Sequence, residues 1–331
     1  MRALLNVALA LVVVLVAFYG TAHYLTQVPE NDALVPLPPL SAAEQALIPR
    51  LKGHVETLTR GERNIAHYDQ LENAAQYIEQ QLAAYGYKPI RHEFTVGGKT
   101  VRNIEVVHER PQVAIDGTLV VGAHYDSAPG SPGAEENATG VAALLEFARE
   151  VAASAAIGTK RIRIFFFVNG ARPYFKTNDM GSLRVAKELA ARGEKVTAMF
   201  SLDSLGYYSR EPRSQNYPPL IGMLLPRTGD FVSAVGLLNA RTIAHRVSQL
   251  FPAYSPFPLL TAVGPSLIPT LDVSDNWAFA RTGVPALVFT DTGPLRYPHF
   301  GLPTDTPDKI KYEDLARVTR GIIPILRGVL Q

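Results

Sequence analysis

Thr118-Leu119-Val120-Val121-Gly122-Ala123-His124-Tyr125-Asp126 is the stretch on which the fold turns. Thr118 to Ala123 is short, nearly all apolar and carries paired valines. It reads as a strand buried on both faces, as in the interior of a parallel sheet. The run stops abruptly at polar His124-Tyr125-Asp126. A turn-rich loop, Pro132-Gly133-Ala134-Glu135-Glu136-Asn137-Ala138-Thr139-Gly140, then opens a helix expected over 136–155. Strand, polar loop and helix together make half of a βαβ unit.

The same alternation continues on either side. Apolar, β-rich runs at 161–168, 196–202 and 285–290 predict further buried strands. Helical patterns occupy 180–192, ending at Gly193, then 230–250 and 312–330. Upstream, Ser41 and Glu44 form a capping box for a helix over 42–58, which Pro49 is expected to kink or split. A second helix over 68–85 stops at Gly86, and Gly97-Gly98 joins a hairpin of 90–96 and 100–108. The fold class is therefore α/β, with a mostly parallel mixed sheet covered by helices on both faces. It occupies residues 41–331 and has no internal repeat.

The chain has 331 residues, no cysteine and a formal net charge of +2. Without cysteine, disulfides, thiolate metal sites and thiol catalysis are excluded. The near balance of charge gives no electrostatic basis for nucleic-acid binding. Residues 3–22 are uncharged and dominated by Leu, Val and Ala, and about 20 apolar residues span a bilayer as a helix. Arg2 precedes this run and the next Lys or Arg is Arg50, so positive charge lies on the N-terminal side. Residues 1–25 are thus expected to be a single transmembrane anchor inserted in the lipid bilayer, N-terminus cytoplasmic, with the remainder periplasmic or extracellular. A cleaved signal peptide, using the small residues at Gly20-Thr21-Ala22, is the competing reading and also exports the domain. A proline-rich linker, 26–40, is expected to be extended and non-helical.

In open α/β sheets ligands bind beyond the carboxyl ends of strands. Four groups of polar residues lie there. His124 leaves a buried strand, and Asp126 is placed to hold one ring nitrogen while the other faces a metal; a structural histidine is the plainer reading. Glu135 and Glu136 open a helix, where capping alone would account for them. Asp203 ends the apolar strand 196–202, and a buried carboxylate needs a partner or a metal. Asp305 and Thr306 either belong to the site or simply begin the last helical segment.

Taken together, these phrases resemble the co-catalytic zinc aminopeptidases (metallopeptidase family twenty-eight), whose relatives include glutaminyl cyclases and transferrin-receptor-like proteins. The resemblance spans roughly 41–331. It rests on Gly122-Ala123-His124-Tyr125-Asp126-Ser127, Asn137-Ala138-Thr139-Gly140, Phe167-Val168-Asn169, Asp179-Met180-Gly181-Ser182, Leu205-Gly206-Tyr207-Tyr208-Ser209, Ser274-Asp275 with Phe279, and Thr290-Asp291-Thr292. The resemblance implies two zinc ions sharing a carboxylate, with a glutamate as general base. One metal's ligands map to His124, oriented by Asp126, to Glu136 as the bridging carboxylate, one methylene longer than the usual Asp, and to Asp203.

The second metal's positions depart from the family. Where relatives read Val-Asn-Glu-Glu-Pro-Pro, this chain reads Val168-Asn169-Gly170-Ala171-Arg172-Pro173. Base and ligand thus become Gly170 and Ala171, and the late histidine becomes Gly301, with His299 two residues away. Arg172 adds a cation beside the emptied position. The resemblance therefore implies zinc, at most one ion per chain or none. Two functions remain open, beside a third, plainer reading in which the ligands are relics and the protein serves only structurally. One is a catalytically silent or altered member that binds a peptide or protein in the cell envelope. The other is a single-metal hydrolase with Glu135 as substitute base. Tyr207, Tyr208 and Phe279 either line the cleft or fill the core. Loops 209–219 and 253–269 are expected to shape specificity.

Overall fold

The computed structural model describes residues 36–109, 114–154, 159–218, 222 and 225–328, with positions 6, 9, 12, 13, 16, 19–21 and 24–27 near the N-terminus. The remainder of the anchor and linker expectations, residues 28–35 included, lies outside the described residues. Among the described residues no helix is long and apolar enough to cross a membrane.

The strands are β1 (Thr26–Gln27), β2 (Ile90–Val96), β3 (Lys99–His108), β4 (Thr118–His124), β5 (Arg161–Phe167), β6 (Val196–Leu202), β7 (Val232–Leu237), β8 (Leu259–Gly264) and β9 (Ala286–Thr290). The helices are α1 (Ala42–Leu58), α2 (Tyr68–Ala84), α3 (Thr139–Ala152), α4 (Gly181–Ala191), α5 (Arg241–Leu250), α6 (Asn276–Ala280), α7 (Gly293–Arg296) and α8 (Tyr312–Gly328). The strands form one sheet in the order β1-β8-β7-β9-β6-β4-β5-β3-β2. Its centre, β5-β4-β6-β9, is parallel, and β7 runs parallel to β8. The other pairings are antiparallel, so the sheet is more evenly mixed than expected.

Alternate side chains of the central strands feed two layers, as strand geometry requires. Leu119, Val121, Phe166, Phe200 and Phe289 pack with α1, α2, α3, α5 and α8. Val120, Phe165, Phe167 and Met199 pack with α4 and α6. The site therefore sits on a sheet covered on both sides, and its loops inherit that rigidity.

Several local expectations are corrected. The run 230–250 is not one helix but β7, a turn and α5. Val232-Ser233-Ala234-Val235 alternates between the two faces, and antiparallel pairing with β9 decides in favour of strand. The run 253–269 contains β8, and Thr26–Gln27 of the supposed linker pairs with it. Pro49 does not split α1. The capping box forms as expected, and Leu47, Leu51, Val55 and Leu58 anchor the helix on both sides of the proline. The helix expected from 136 begins at Thr139, so Glu136 stands in the turn before it.

Candidate active site

The carboxyl ends of the parallel strands β4, β6 and β9 deliver His124, Asp203 and Asp291 to one place. Asn137 ties these ends together. Its Nδ2 donates to the Leu202 carbonyl at 2.9 Å and the His124 carbonyl at 3.3 Å. Its Oδ1 accepts from Ser204 N at 3.0 Å and Gly140 N at 3.1 Å.

His124 is buried between two carboxylates. Nδ1 lies 3.3 Å from Asp126 Oδ1 and 3.2 Å from the Asp126 carbonyl oxygen; Nε2 lies 3.5 Å from Asp203 Oδ2. Burial opposes the charged ring, but hydrogen bonding and attraction to Asp126 and Asp203 outweigh it and raise His124 well above its usual pKa. Burial likewise works against ionised Asp203, yet His124 holds that carboxyl below its ordinary value. With no metal bound, both shifts favour a charged His124 ring beside an ionised Asp203.

The degenerate turn has a structural task. Gly170 N and Ala171 N donate to the two Asp126 carboxylate oxygens at 2.8 and 3.0 Å. Asp126 in turn contacts His124 Nδ1, so this turn fixes the histidine through its backbone. Gly170 abuts the ring itself: a β-carbon there would stand 2.3 Å from His124 Cβ. At Gly301, with φ +65°, a β-carbon would lie 3.7 Å from Glu136 Oε2 and 3.9 Å from Arg172 Nη2. Glu136 and the Arg172 guanidinium thus flank the position that Gly301 leaves bare. His299 is turned to Thr304, its Nδ1 2.8 Å from that hydroxyl.

Glu136 is half-buried, and burial, with Asp203, Asp305 and Asp126 adding to it against the pull of His124, raises its pKa to about 8. Glu135 is fully buried. No donor among the described residues reaches either of its oxygens or Asp291 Oδ1. Burial raises both acids, and the negative charge of Asp291 pushes Glu135 up further. The candidate base is therefore shut away from solvent in this conformation.

Three acids at the site had no assigned role in the sequence. Asp305 accepts from Glu135 N at 2.8 Å, Glu136 N at 3.3 Å and the Tyr297 hydroxyl at 3.1 Å, so it shapes the turn that presents Glu136 rather than starting a helix. Asp291 accepts from Tyr207 N at 2.6 Å. Asp275 is buried, with both oxygens unmatched by a donor among the described residues, and burial raises it to about 7. The phrases Ser274-Asp275 and Thr290-Asp291-Thr292 were the available signal. Tyr208 and Phe279 are core residues; Tyr207 is half-buried against Tyr297, ring centroids 4.9 Å apart.

Zinc binds nitrogen and oxygen at about 2.0–2.2 Å, which sets tetrahedral ligand separations of about 3.3–3.5 Å. His124 Nε2 and Asp203 Oδ2 meet that spacing at 3.5 Å. The surrounding carboxylates suit a cation in charge. Among the described residues, however, no three His, Asp or Glu side chains converge as a metal-holding group. The first metal position thus fits in two donors, with Glu136 adjacent, and the second does not fit at all.

The model of peptidase family M28 matches residues 103–326. The chain belongs to peptidase family M28. The uncharacterized protein YfbL of Escherichia coli (strain K12) is 31% identical over 280 residues, 82% of this chain and 84% of that protein. Among solved structures, LapB from Legionella pneumophila aligns with TM-score 0.65 at 19% identity, covering 93% of this chain and 78% of LapB. Porphyromonas gingivalis glutaminyl cyclase aligns with TM-score 0.64 at 19% identity, over 85% of this chain and 98% of the cyclase. A Zn-dependent exopeptidase from Parabacteroides distasonis aligns with TM-score 0.61 at 16% identity, over 88% and 99%. These structural likenesses concern the M28 fold.

Proposed function

We propose that this M28 chain is a membrane-anchored envelope protein that has given up two-metal peptide hydrolysis and uses its remnant cleft to bind a peptide or protein. The carrying observation is the packing of Gly170 on His124. The family's base position not only lacks a carboxylate but has no room for one, because a β-carbon at 170 would lie 2.3 Å from His124 Cβ. Ala171 and Gly301 remove the remaining ligands of the second ion. Arg172 supplies positive charge beside Glu136 where that ion would sit. Removing a general base alone commonly costs about 10²–10⁴ in rate.

Anchoring is supported by residues 3–22 and by the described helical positions within them. Leu9, Val12, Val13 and Val16 are each more than half exposed. The orientation follows from Arg2 before the span and the lack of Lys and Arg from there to Arg50.

The second reading is a single-metal zinc hydrolase that removes N-terminal residues from peptides. It is favoured by the His124–Asp203 spacing of 3.5 Å. A zinc held there by His124, Asp203 and Glu136 would polarise a carbonyl and activate water. Metal content of the purified full chain, with His124→Ala as control, separates the two. No metal in folded protein, and no chelator-sensitive release of amino acids from peptides, fits the binding protein. About one zinc per chain, lost in the control and accompanied by such release, would establish the hydrolase instead.

A further inference from the structure

Two elements that shield the lower layer, α4 and α6, cover the central strands but not β7 and β8, where only a small cluster of Val235, Leu271 and Val288 forms. A cavity of about 830 Å³ fills that gap. Ser233, Val235, Leu260 and Ala262 form its floor on the sheet, and Ile268 and Leu271 its roof. Its far wall is made by Tyr19, Thr21 and Leu25, the end of the N-terminal apolar segment. At its other end it reaches Thr290 and Thr292, the neighbours of Asp291.

No charged side chain lines it among the described residues. Of its hydroxyls, Thr290 accepts from Thr292 N at 2.9 Å, and Thr292 is hydrogen-bonded to Gln215. A peptide placed here would leave its backbone amides largely unmatched, which burial penalises. A hydrocarbon chain needs no partners and is stabilised by every methylene it buries. The volume lies within the range of roughly 300–1,000 Å³ usual for small-molecule sites. The surroundings favour the same occupant. Because β1 runs antiparallel to β8, with Thr26 opposite Ala262, the residues before Thr26 arrive on the side of β8 that leads to Gly264 and the 265–273 loop. That loop carries Leu267, 82% exposed, and Val273, 40% exposed.

We infer that this cavity is a binding site for one acyl chain of a bilayer lipid, entering beside Tyr19, Thr21 and Leu25. The inference rests on the anchored reading of residues 3–22.

The test is photolabelling of the full chain, reconstituted in phospholipid nanodiscs that contain a phosphatidylcholine with a diazirine in its acyl chain. Labelled peptides are mapped by mass spectrometry. The expected result is labelling both in residues 3–22 and in residues 259–273, with the second lost in Ala262→Trp and in Ser233→Phe, which fill the cavity from different strands. Labelling of 3–22 alone overturns the acyl site and leaves the anchor standing. Labelling of neither removes the anchor and the inference with it. Labelling of 259–273 that persists in a cavity-filling variant with an unchanged melting temperature would mean surface contact only, and also overturns the site. If one variant fails to fold, the other decides.

Discussion

The α-carbon of Gly170 rests against the His124 side chain so closely that a β-carbon at 170 would stand 2.3 Å from His124 Cβ and 2.4 Å from its Cγ. Loss of the glutamate and placement of the histidine are therefore one arrangement. Reintroducing the family residue should not rescue catalysis. Gly170→Ala and Gly170→Glu are both expected to destabilise the fold by about 1–3 kcal/mol, as overpacked sites do. Each should also displace His124 and so lower whatever zinc the wild-type protein carries. Denaturant unfolding and metal analysis of the two variants check this; a Gly170→Glu protein of wild-type stability with new peptidase activity would refute it.

The acids around His124 set the pH dependence of the metal-free protein. Glu136, raised to about 8, and Asp275, raised to about 7, favour their neutral forms in the fold. Their contribution is intact below the unfolded carboxyl range and declines as pH climbs to about 8. His124, raised above its usual value by its two carboxylates, stabilises fully below its unfolded pKa and loses that stabilisation as pH rises through the folded one. All three act in the same direction. The melting temperature of chelator-treated protein is expected to fall from about pH 5 to about pH 8. Zinc, where bound, should lessen the decline, because a cation replaces the proton on His124 and favours ionised carboxylates. Calorimetry across that range, with and without zinc, gives the answer; a midpoint that climbs with pH would contradict the assignment.

Arg63 gives a prediction on stability alone. It is buried and donates to the carbonyls of Tyr125, Leu58 and Gly133 at 2.9 Å each, and to that of Pro132. One guanidinium thereby holds the loop from Tyr125 to Gly133 against the end of α1. Burial lowers its pKa to about 10, with Asp126, Asp305 and Glu136 opposing that fall, so it stays charged at neutral pH. Lysine has the charge but not the fork geometry. Arg63→Lys is expected to lose at least about 2 kcal/mol and Arg63→Ala more, since each stranded buried carbonyl costs about 1–3 kcal/mol. Equilibrium unfolding measures both.

How much of this was legible follows from range in sequence. The central strands announced themselves, because a strand buried on both faces must be a short apolar run, and Thr118 to Ala123 has no other use. β7 and β8 did not. Val232 to Leu237 acquires its identity from pairing with β9, some 50 residues on, while its local pattern blends into the amphipathic turn of α5. At the site, His124, Asp126 and Asp203 were readable because each ends or follows a visible strand. The role of Asp305 was not, since its partners Glu135 and Glu136 lie 170 and 169 residues away and the contact is carboxylate to backbone. The emptiness of Gly170 was plain from sequence; that His124 presses into the space was a matter of packing.

Asp305 offers the sharpest separation of shape from charge at this site. Its two oxygens cap the Glu135 and Glu136 amides at 2.8 and 3.3 Å, and the Tyr297 hydroxyl completes the arrangement. Asp305→Ala strands two amides and a hydroxyl in a buried turn and should cost about 2–4 kcal/mol. Asp305→Asn keeps one acceptor oxygen and removes a negative charge from a crowded acidic cluster, two effects of opposite sign. Its stability is therefore expected between wild type and Asp305→Ala, nearest wild type at high pH, where relief of repulsion with Glu136 counts most. If Asp305 acted only through its charge, the Asn variant would match or exceed wild type at every pH, and the unfolding free energies of the three proteins at two pH values would show it.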